Sequence, residues 1–280
     1  MSTQITVAMV EQYKANVITL SQQKGSRTRG TVRTEMVKGK SAYFERIGAV
    51  GMVQATSRHD DTPQIDTPHS RRKVDLYTYR FADLIDNPDK VRTLIDPQSE
   101  YAMAAMYAAG RQIDSTVIAA AIGNAFSGVS GATTVALPSA QKIASASSGL
   151  TVAKLIAAKE ILDTGDVDPD MPRALVVRPA GITDLLNSTQ VGSSDYNSIK
   201  PLVTGEVKMY MGFQVIMTNL APSGKAVVWT RDAVALAIGS DPMVRISERS
   251  DKNYSTQVFV EMDIGATRTE DVGVVEISYV

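Results

Sequence analysis

The chain has 280 residues, of which 44% are hydrophobic and 21% charged, with a mean hydropathy of −0.07, a formal net charge of −1 and a pI of about 6.2. This composition excludes wholesale disorder and fibrous repeats, and the charge balance excludes a surface built throughout to coat nucleic acid. At about 150 residues per domain, the length fits one large domain or two modest ones.

Residues 1–46 form a weakly patterned start. Between Lys24 and Arg46 lie seven basic residues, Lys24, Arg27, Arg29, Arg33, Lys38, Lys40 and Arg46, against only Glu35 and Glu45. Two readings stay open: a solvated terminus, or a basic arm that lies against an acidic partner surface or packaged nucleic acid. Tyr43-Phe44 and Val50-Gly51-Met52-Val53 then read as strand, and strand character resumes at Val74, Leu76 and Tyr79. Between them lies a polar tip from Arg58 to Lys73, so the segment reads as a long hairpin. That tip has too little apolar side chain to bury itself, and a long polar loop in a compact domain is expected to work by touching something else.

Asp96 as N-cap and Pro97 at the first turn open a helix predicted over 97–126, about 45 Å long at 1.5 Å per residue. Its apolar stripe runs Met103, Met106, Gly110, Ile113, Val117, Ala121 and Ala125, in steps of three and four, which reads as core. Fourteen alanines between 101 and 150 would let neighbouring elements approach closely. Residues 127–149, rich in Gly, Ser, Ala and Thr, read as a loop crossing between subdomains.

An α/β pattern follows. Thr151 precedes a helix with Val152, Leu155, Ile156 and Leu162 on one face, Ala174–Val177 reads as a buried strand, and Pro179 opens a second helix with Ile182, Leu185 and Leu186. Residues 189–206 form a second polar loop. Strands follow at Val207–Tyr210 and Phe213–Met217, hinged on Gly212, and at Ala226–Thr230. In the tail, Thr256, Val258, Val260, Met262 and Ile264 share one face, and Val275, Ile277 and Tyr279 another.

The residues that carry chemistry are sparse. No run approaches the roughly 18 apolar residues of a membrane span, and the start lacks the apolar core of a signal peptide. Without cysteine there is no disulfide, thiolate metal site or cysteine nucleophile, and a reducing compartment is the natural reading. Gly25 and Gly30 have phosphate-loop spacing but no Lys-Ser/Thr follows and no strand precedes them. Asp163 to Asp170 suggests a calcium loop, but neither register supplies the turn glycine and the bidentate glutamate, so a helix-to-strand turn is expected. His59, Asp60, Asp61, Asp66 and His69 have the residue types for a divalent ion but no spacing to fix them. These two histidines are the only ones, and no G-x-S-x-G elbow exists to go with them. The reading is therefore no enzyme, no cofactor and no metal.

The order of parts, with basic arm, polar hairpin, alanine-rich helix, inserted α/β segment and returning strands, resembles the major capsid protein of tailed bacteriophages, a fold shared with bacterial encapsulins. Gly110-Arg-Gln-Ile-Asp-Ser-Thr-Val-Ile-Ala-Ala-Ala-Ile-Gly123 is similar to that family's spine-helix segment. Gly205-Glu-Val-Lys-Met-Tyr-Met-Gly-Phe-Gln-Val-Ile-Met-Thr-Asn219 is similar to its strand pair turning at Gly-Phe, and Ala233–Ile238 to the return into its peripheral domain. The resemblance implies an α+β fold with an N-terminal arm (1–40), an extended loop (41–79), a peripheral domain with a long spine helix (80–145 and 240–280) and an axial domain (146–239). It implies a non-enzymatic shell subunit that assembles into hexamers and pentamers of an icosahedral phage head enclosing double-stranded DNA. An encapsulin-type protein compartment is the alternative.

Partners implied are other copies of the chain, a separate scaffolding protein (only about 40 residues from Met1 precede the loop), a portal, a cement protein and non-specific contact with packaged DNA, but no membrane. The location implied is the virion capsid, assembled in the host cytoplasm. Expected inter-subunit residues on the extended loop are Arg58, Asp60, Asp61, Asp66, Arg71, Arg72 and Lys73, and the basic arm offers Lys24, Arg27, Arg29, Arg33, Lys38 and Lys40. Some relatives cross-link a loop lysine. Lys73 is the nearest counterpart here, and no cross-link is expected from it.

Overall fold

A computed structural model of the chain describes residues 22–54, 56–58, 61–86, 98–187 and 209–280. The expected helix start at Asp96-Pro97, the polar loop 189–206, His59 and Asp60 lie outside the described residues, as does the arm before residue 22. The chain divides into two compact units. One comprises Thr78–Arg111 and Ser240–Asp263 with the N-terminal stretch to Ser26, and the other comprises Arg27–Tyr77, Gln112–Gly239 and Ile264–Val280.

In chain order the strands are β1 (Arg33–Met36), β2 (Ser41–Ile47), β3 (His69–Asp75) and β4 (Tyr77–Ile85), followed by helix α1 (Gln98–Ile122). Then come β5 (Ala125–Ser127), β6 (Thr133–Val135), β7 (Lys142–Ile143), α2 (Val152–Thr164), β8 (Arg173–Val177) and α3 (Pro179–Asn187). The chain ends with β9 (Met209–Tyr210), β10 (Phe213–Met217), β11 (Lys225–Thr230), β12 (Val234–Arg249), β13 (Ser255–Arg268) and β14 (Val274–Ser278).

The second unit is built on a mixed sheet of order β7-β14-β11-β8-β10-β9. Its central strand β8 is apolar after Arg173 and buried at every residue, as a strand covered on both faces must be. Leu155, Ala158 and Leu162 of α2 and Leu185 of α3 pack with Leu175, Val177, Phe213, Val228, Val275 and Ile277 into one core. Thr151, expected just before this helix, caps α2, its hydroxyl accepting from the Lys154 amide at 3.4 Å. Ile156, expected on the buried face, is exposed instead, and its place is taken by Lys154, whose ammonium is buried. That ammonium donates to the carbonyls of Ser145, Ser148, Gly149 and Ser278 at 2.7–3.1 Å, and burial lowers its pKa.

β9 and β10 pair through the two-residue turn Met211-Gly212, where both residues have positive φ, +52° and +87°. A tight antiparallel hairpin demands that geometry, and glycine there makes it cheap. The Asp163–Asp170 segment is the helix-to-strand turn between α2 and β8, with Asp163 pairing Arg173 at 2.7 Å. Residues 127–149 are not one loop. β6, β7 and a 3-10 turn at Ser139–Gln141 lie within them, because Lys142 and Ile143 find a parallel partner in β14. For the same reason the C-terminal strand is hydrogen-bonded into the six-stranded sheet. The compact units change over at 26/27, 77/78, 111/112, 239/240 and 263/264.

β2, β3, β5 and β6 make a second, antiparallel sheet, with β2 paired to β3 from Ser41↔Asp75 to Ile47↔His69. Phe44 and Val74 pack with Ala235 and Ala237 of β12. Gly265 admits Asp75 here, since a Cβ on it would meet the Asp75 carbonyl oxygen at 2.3 Å. The run Val50–Val53, expected as strand, forms none: among the described residues the β2–β3 pairing ends at Ile47↔His69 and no strand pairs with 50–53.

α1 spans 25 residues, about 37 Å, and ends at Ile122 rather than at 126. The chain turns there into β5, and Arg268 takes up the last carbonyls of the helix: its guanidinium donates to Ala121 O at 3.2 Å and Gly123 O at 2.6 Å. Ile113, Val117, Ala121 and Ala125 are buried as the stripe requires, but Met103 and Met106 are 42% and 37% exposed. The periodicity continues through Met103 and Met106, but burial does not.

Residues 27–36 are tied into the second unit. The amides of Arg27 and Thr28 donate to the buried Asp114 carboxylate at 3.0 Å, and the Thr28 hydroxyl does so at 2.7 Å. Thr31 accepts from the Trp229 indole N–H at 3.3 Å, Val32 is buried, and β1 runs parallel to β12 from Arg33↔Ala235 to Met36↔Ile238.

In the first unit β4 borders β13, which pairs with β12. Thr256, Val258, Val260 and Met262 of β13 are buried on the expected face, and Ile264 continues it in the second unit. At the β12–β13 turn the Arg249 guanidinium bonds both oxygens of Asp251 at 2.7 Å and holds its carboxyl down at about 2. A carboxylate with a lowered pKa supports the turn above its ordinary pKa and loses that support as pH falls toward 2. An NMR titration is expected to give an Asp251 midpoint of about 2, moving up toward ~4 in Arg249→Gln. An unchanged midpoint in the variant would contradict this.

Candidate assembly interface

The β2–β3 hairpin projects a loop, residues 48–68, in which every described residue is exposed. The loop starts and ends earlier than the expected tip at 58–73. The amide of Gly48 still donates to the Pro68 carbonyl at 2.9 Å, so pairing extends one step past Ile47↔His69 before the strands separate.

The expected contact residues fall into two groups. Arg58, Asp61 and Asp66 are on the loop and exposed. Arg71, Arg72 and Lys73 belong to β3. Arg71 faces outward, pairing with Glu45 at 3.1 Å and lying 5.6 Å above the Tyr43 ring. Lys73 pairs with Asp75 at 3.0 Å. Arg72 is a correction: only 2% exposed, it points inward and pairs with Asp271 at 2.6 Å. Strand alternation is the reason, since Arg72 sits opposite Phe44 on the face that packs inward. Burial beside Arg46 and Arg268 lowers its pKa, and Asp271 opposes that shift.

The loop also carries apolar side chains, and they are exposed. Val50, Met52, Val53 and Ile65 are 55%, 102%, 61% and 45% exposed, and Ile47 at the strand end is 68% exposed. A stretch with so many uncovered apolar side chains marks an interaction surface. The signal was present as the run Val50–Val53, whose hydrophobicity points outward rather than into a sheet.

At the hairpin root lies an open groove of about 640 Å³ between β1 and β2, lined by Arg33, Glu35, Tyr43–Gly48, Ser70, Asp232 and Thr269–Val272. Arg33 and Glu35 form an ion pair on β1. Arg46 donates to Thr269 O at 2.6 Å and to the Ser70 hydroxyl at 3.1 Å. Of the basic-arm residues, Lys24, Arg27, Arg33, Lys38 and Lys40 are exposed and Arg29 is half-buried, so the backbone is anchored while the cationic side chains stay on the surface. The Arg27 side chain also bonds the Met217 carbonyl. Among the described residues no group of three or more His, Cys, Asp or Glu could hold a metal ion, and no helix is long and apolar enough to cross a membrane.

A model of the family described as phage capsid protein matches residues 5–280. No curated protein matches the chain. Among solved structures, the capsid of cyanophage P-SCSP1u is similar at a TM-score of 0.75 and 16% identity, covering 100% of this chain and 95% of the other. The capsid of Ralstonia phage GP4 is similar at 0.75 and 12% identity, covering 96% and 94%. The acid-stable capsid of Helicobacter pylori bacteriophage KHP30 is similar at 0.72 and 10% identity, covering 100% and 97%.

Proposed function

The chain belongs to the phage capsid protein family, and from that premise we propose that loop 48–68 reaches a neighbouring subunit of an icosahedral phage head. The matched structures are tailed-phage capsids, which favours a phage shell over an encapsulin-type compartment. The observation that carries the proposal is the loop itself: exposed at every described residue, yet bearing four uncovered apolar side chains. Burying each of these side chains against a neighbour would return about 1.5–3 kcal/mol that the subunit alone leaves unrealised.

In this reading Val50, Met52, Val53 and Ile65 supply affinity. Arg58, Asp60, Asp61 and Asp66 set register, with Arg71 and Lys73 outward on the strand behind them. The unit containing β8–β11 meets the capsomer centre, and Thr78–Arg111 with Ser240–Asp263 forms the peripheral part. The exposed cations at Lys24, Arg27, Arg33, Lys38 and Lys40 touch packaged double-stranded DNA non-specifically. Scaffolding, portal and cement proteins act as separate chains, and assembly takes place in the host cytoplasm.

The test is negative-stain microscopy and sedimentation of the expressed protein, alone and with its genomic neighbours. Closed shells, or hexamers and pentamers, are expected. A compact species of 30.1 kDa under every salt and co-expression condition would overturn the reading.

A further inference from the structure

We propose that Asp271, held between Arg72 and Arg268, is a latch that fixes the direction in which the β2–β3 hairpin leaves the fold. Fixing that direction sets where its loop meets a neighbour, and this last step rests on the function proposed above. The sheet itself holds the hairpin weakly. β2 is an edge strand, and β3 joins β5 through only Arg72↔Ser127 and Lys73↔Phe126. The apolar packing of Phe44 and Val74 on Ala235 and Ala237 is non-directional. Beyond those two pairs and the Ser127 hydroxyl, which donates to the Arg71 carbonyl at 3.1 Å, the directional bonds described at the root come from side chains that converge on one turn.

Arg72 on β3 gives its Nη2 to Asp271 Oδ2 at 2.6 Å. Asp271 Oδ1 accepts from Arg268 Nε, also at 2.6 Å. Arg268 is fully buried and spends its remaining donors on Ala121 and Gly123 at the end of α1 and on Val135 of β6 at 2.9 Å. On the other strand of the hairpin, Arg46 bonds the Thr269 carbonyl, two residues before Asp271. One carboxylate therefore joins the hairpin root to the helix end and to the far strand of its sheet.

The network is not built for stability. Nε and Nη1 of Arg72 are buried with no partner among the described residues. An apolar side chain of similar size would fill that space without leaving donors unsatisfied. A buried ion pair is weak evidence for stability and is better suited to selecting one arrangement.

The test compares Arg72→Met and Arg72→Lys in the full chain. Hydrogen exchange is read at amides 41–47 and 69–75, circular dichroism and melting report the fold, and sedimentation reports assembly. Arg72→Met is expected to keep its dichroism and melting while the hairpin amides exchange about tenfold faster, those of β8 and β11 do not change, and shell yield falls. Arg72→Lys, which can still pair with Asp271, is expected to recover both exchange and shell yield toward the parent. Unchanged hairpin exchange in Arg72→Met overturns the latch, and so does collapse of its whole fold, which would make Arg72 a general core residue. Faster exchange with normal shells instead removes the loop-contact reading, and the assembly role of Asp271 with it.

Discussion

Val117→Asp is expected to remove a large share of the subunit's stability and, with it, most soluble protein and assembled particles. Val117 is fully buried on α1, in the half of the helix that belongs to the second unit, with Ile113 and Ala121 buried one turn to either side. An aspartate there has no cation to pair with on its own face of the helix. An unpaired buried charge costs about 3–5 kcal/mol, a large share of the roughly 5–15 kcal/mol that holds a domain together. Ala119→Asp provides the control: two residues away on the same helix, residue 119 is exposed, and the change should stay within about 0.5 kcal/mol. The measurement is soluble yield and melting temperature for both variants, then sedimentation of whatever folds. Soluble, shell-forming Val117→Asp protein would show that this helix face is not core.

Val117 was legible because local periodicity and tertiary burial agree along 113–125. Met103 and Met106 continue the same steps, yet they stay exposed, and no sequence pattern says where the covering element stops. Val50–Val53 misled in the opposite way. Its composition suits a strand, but strand propensity is largely a statement about partners, and among the described residues none pairs with it. The displaced hairpin tip follows from the same problem, since Ser70-Arg71-Arg72-Lys73 looks like solvated charge until its pairing with Tyr43-Phe44-Glu45-Arg46 is known.

The buried arginines were beyond the local signal altogether. Arg268 to Asp271 carry no apolar side chain. Only the meeting of residues 72, 121, 123 and 135 with this segment makes Arg268 interior. Lys154 is intermediate. Its spacing from Ala158 places it on the apolar face of α2, so its burial could have been read from the heptad, although its four carbonyl partners could not.

Replacing Ala49–Thr67 by Asn-Gly is expected to leave a folded subunit that no longer builds shells. The cut falls outside all seven β2–β3 register pairs and beyond the Gly48–Pro68 backbone bond, and Asn-Gly suits the two-residue turn that then closes the strands. A shorter loop also lowers the entropy of closure, by up to about 2 kcal/mol, so the melting temperature should hold or rise. Assembly should fail because Val50, Met52, Val53 and Ile65 leave together. Two narrower variants separate the contributions. Val50→Ser, Met52→Ser and Val53→Ser combined removes about 5–9 kcal/mol of burial per contact and should reproduce the excision. Arg58→Ala, Asp61→Ala and Asp66→Ala combined should still assemble but respond differently to salt, because exposed charges chiefly steer and align. Shell formation is read by sedimentation and microscopy, and the fold by circular dichroism. If the charge variant fails while the serine variant assembles, polar pairing rather than apolar burial holds the loop to its neighbour. If the excised chain builds normal shells, the loop is a dispensable surface feature and the assembly contact lies elsewhere.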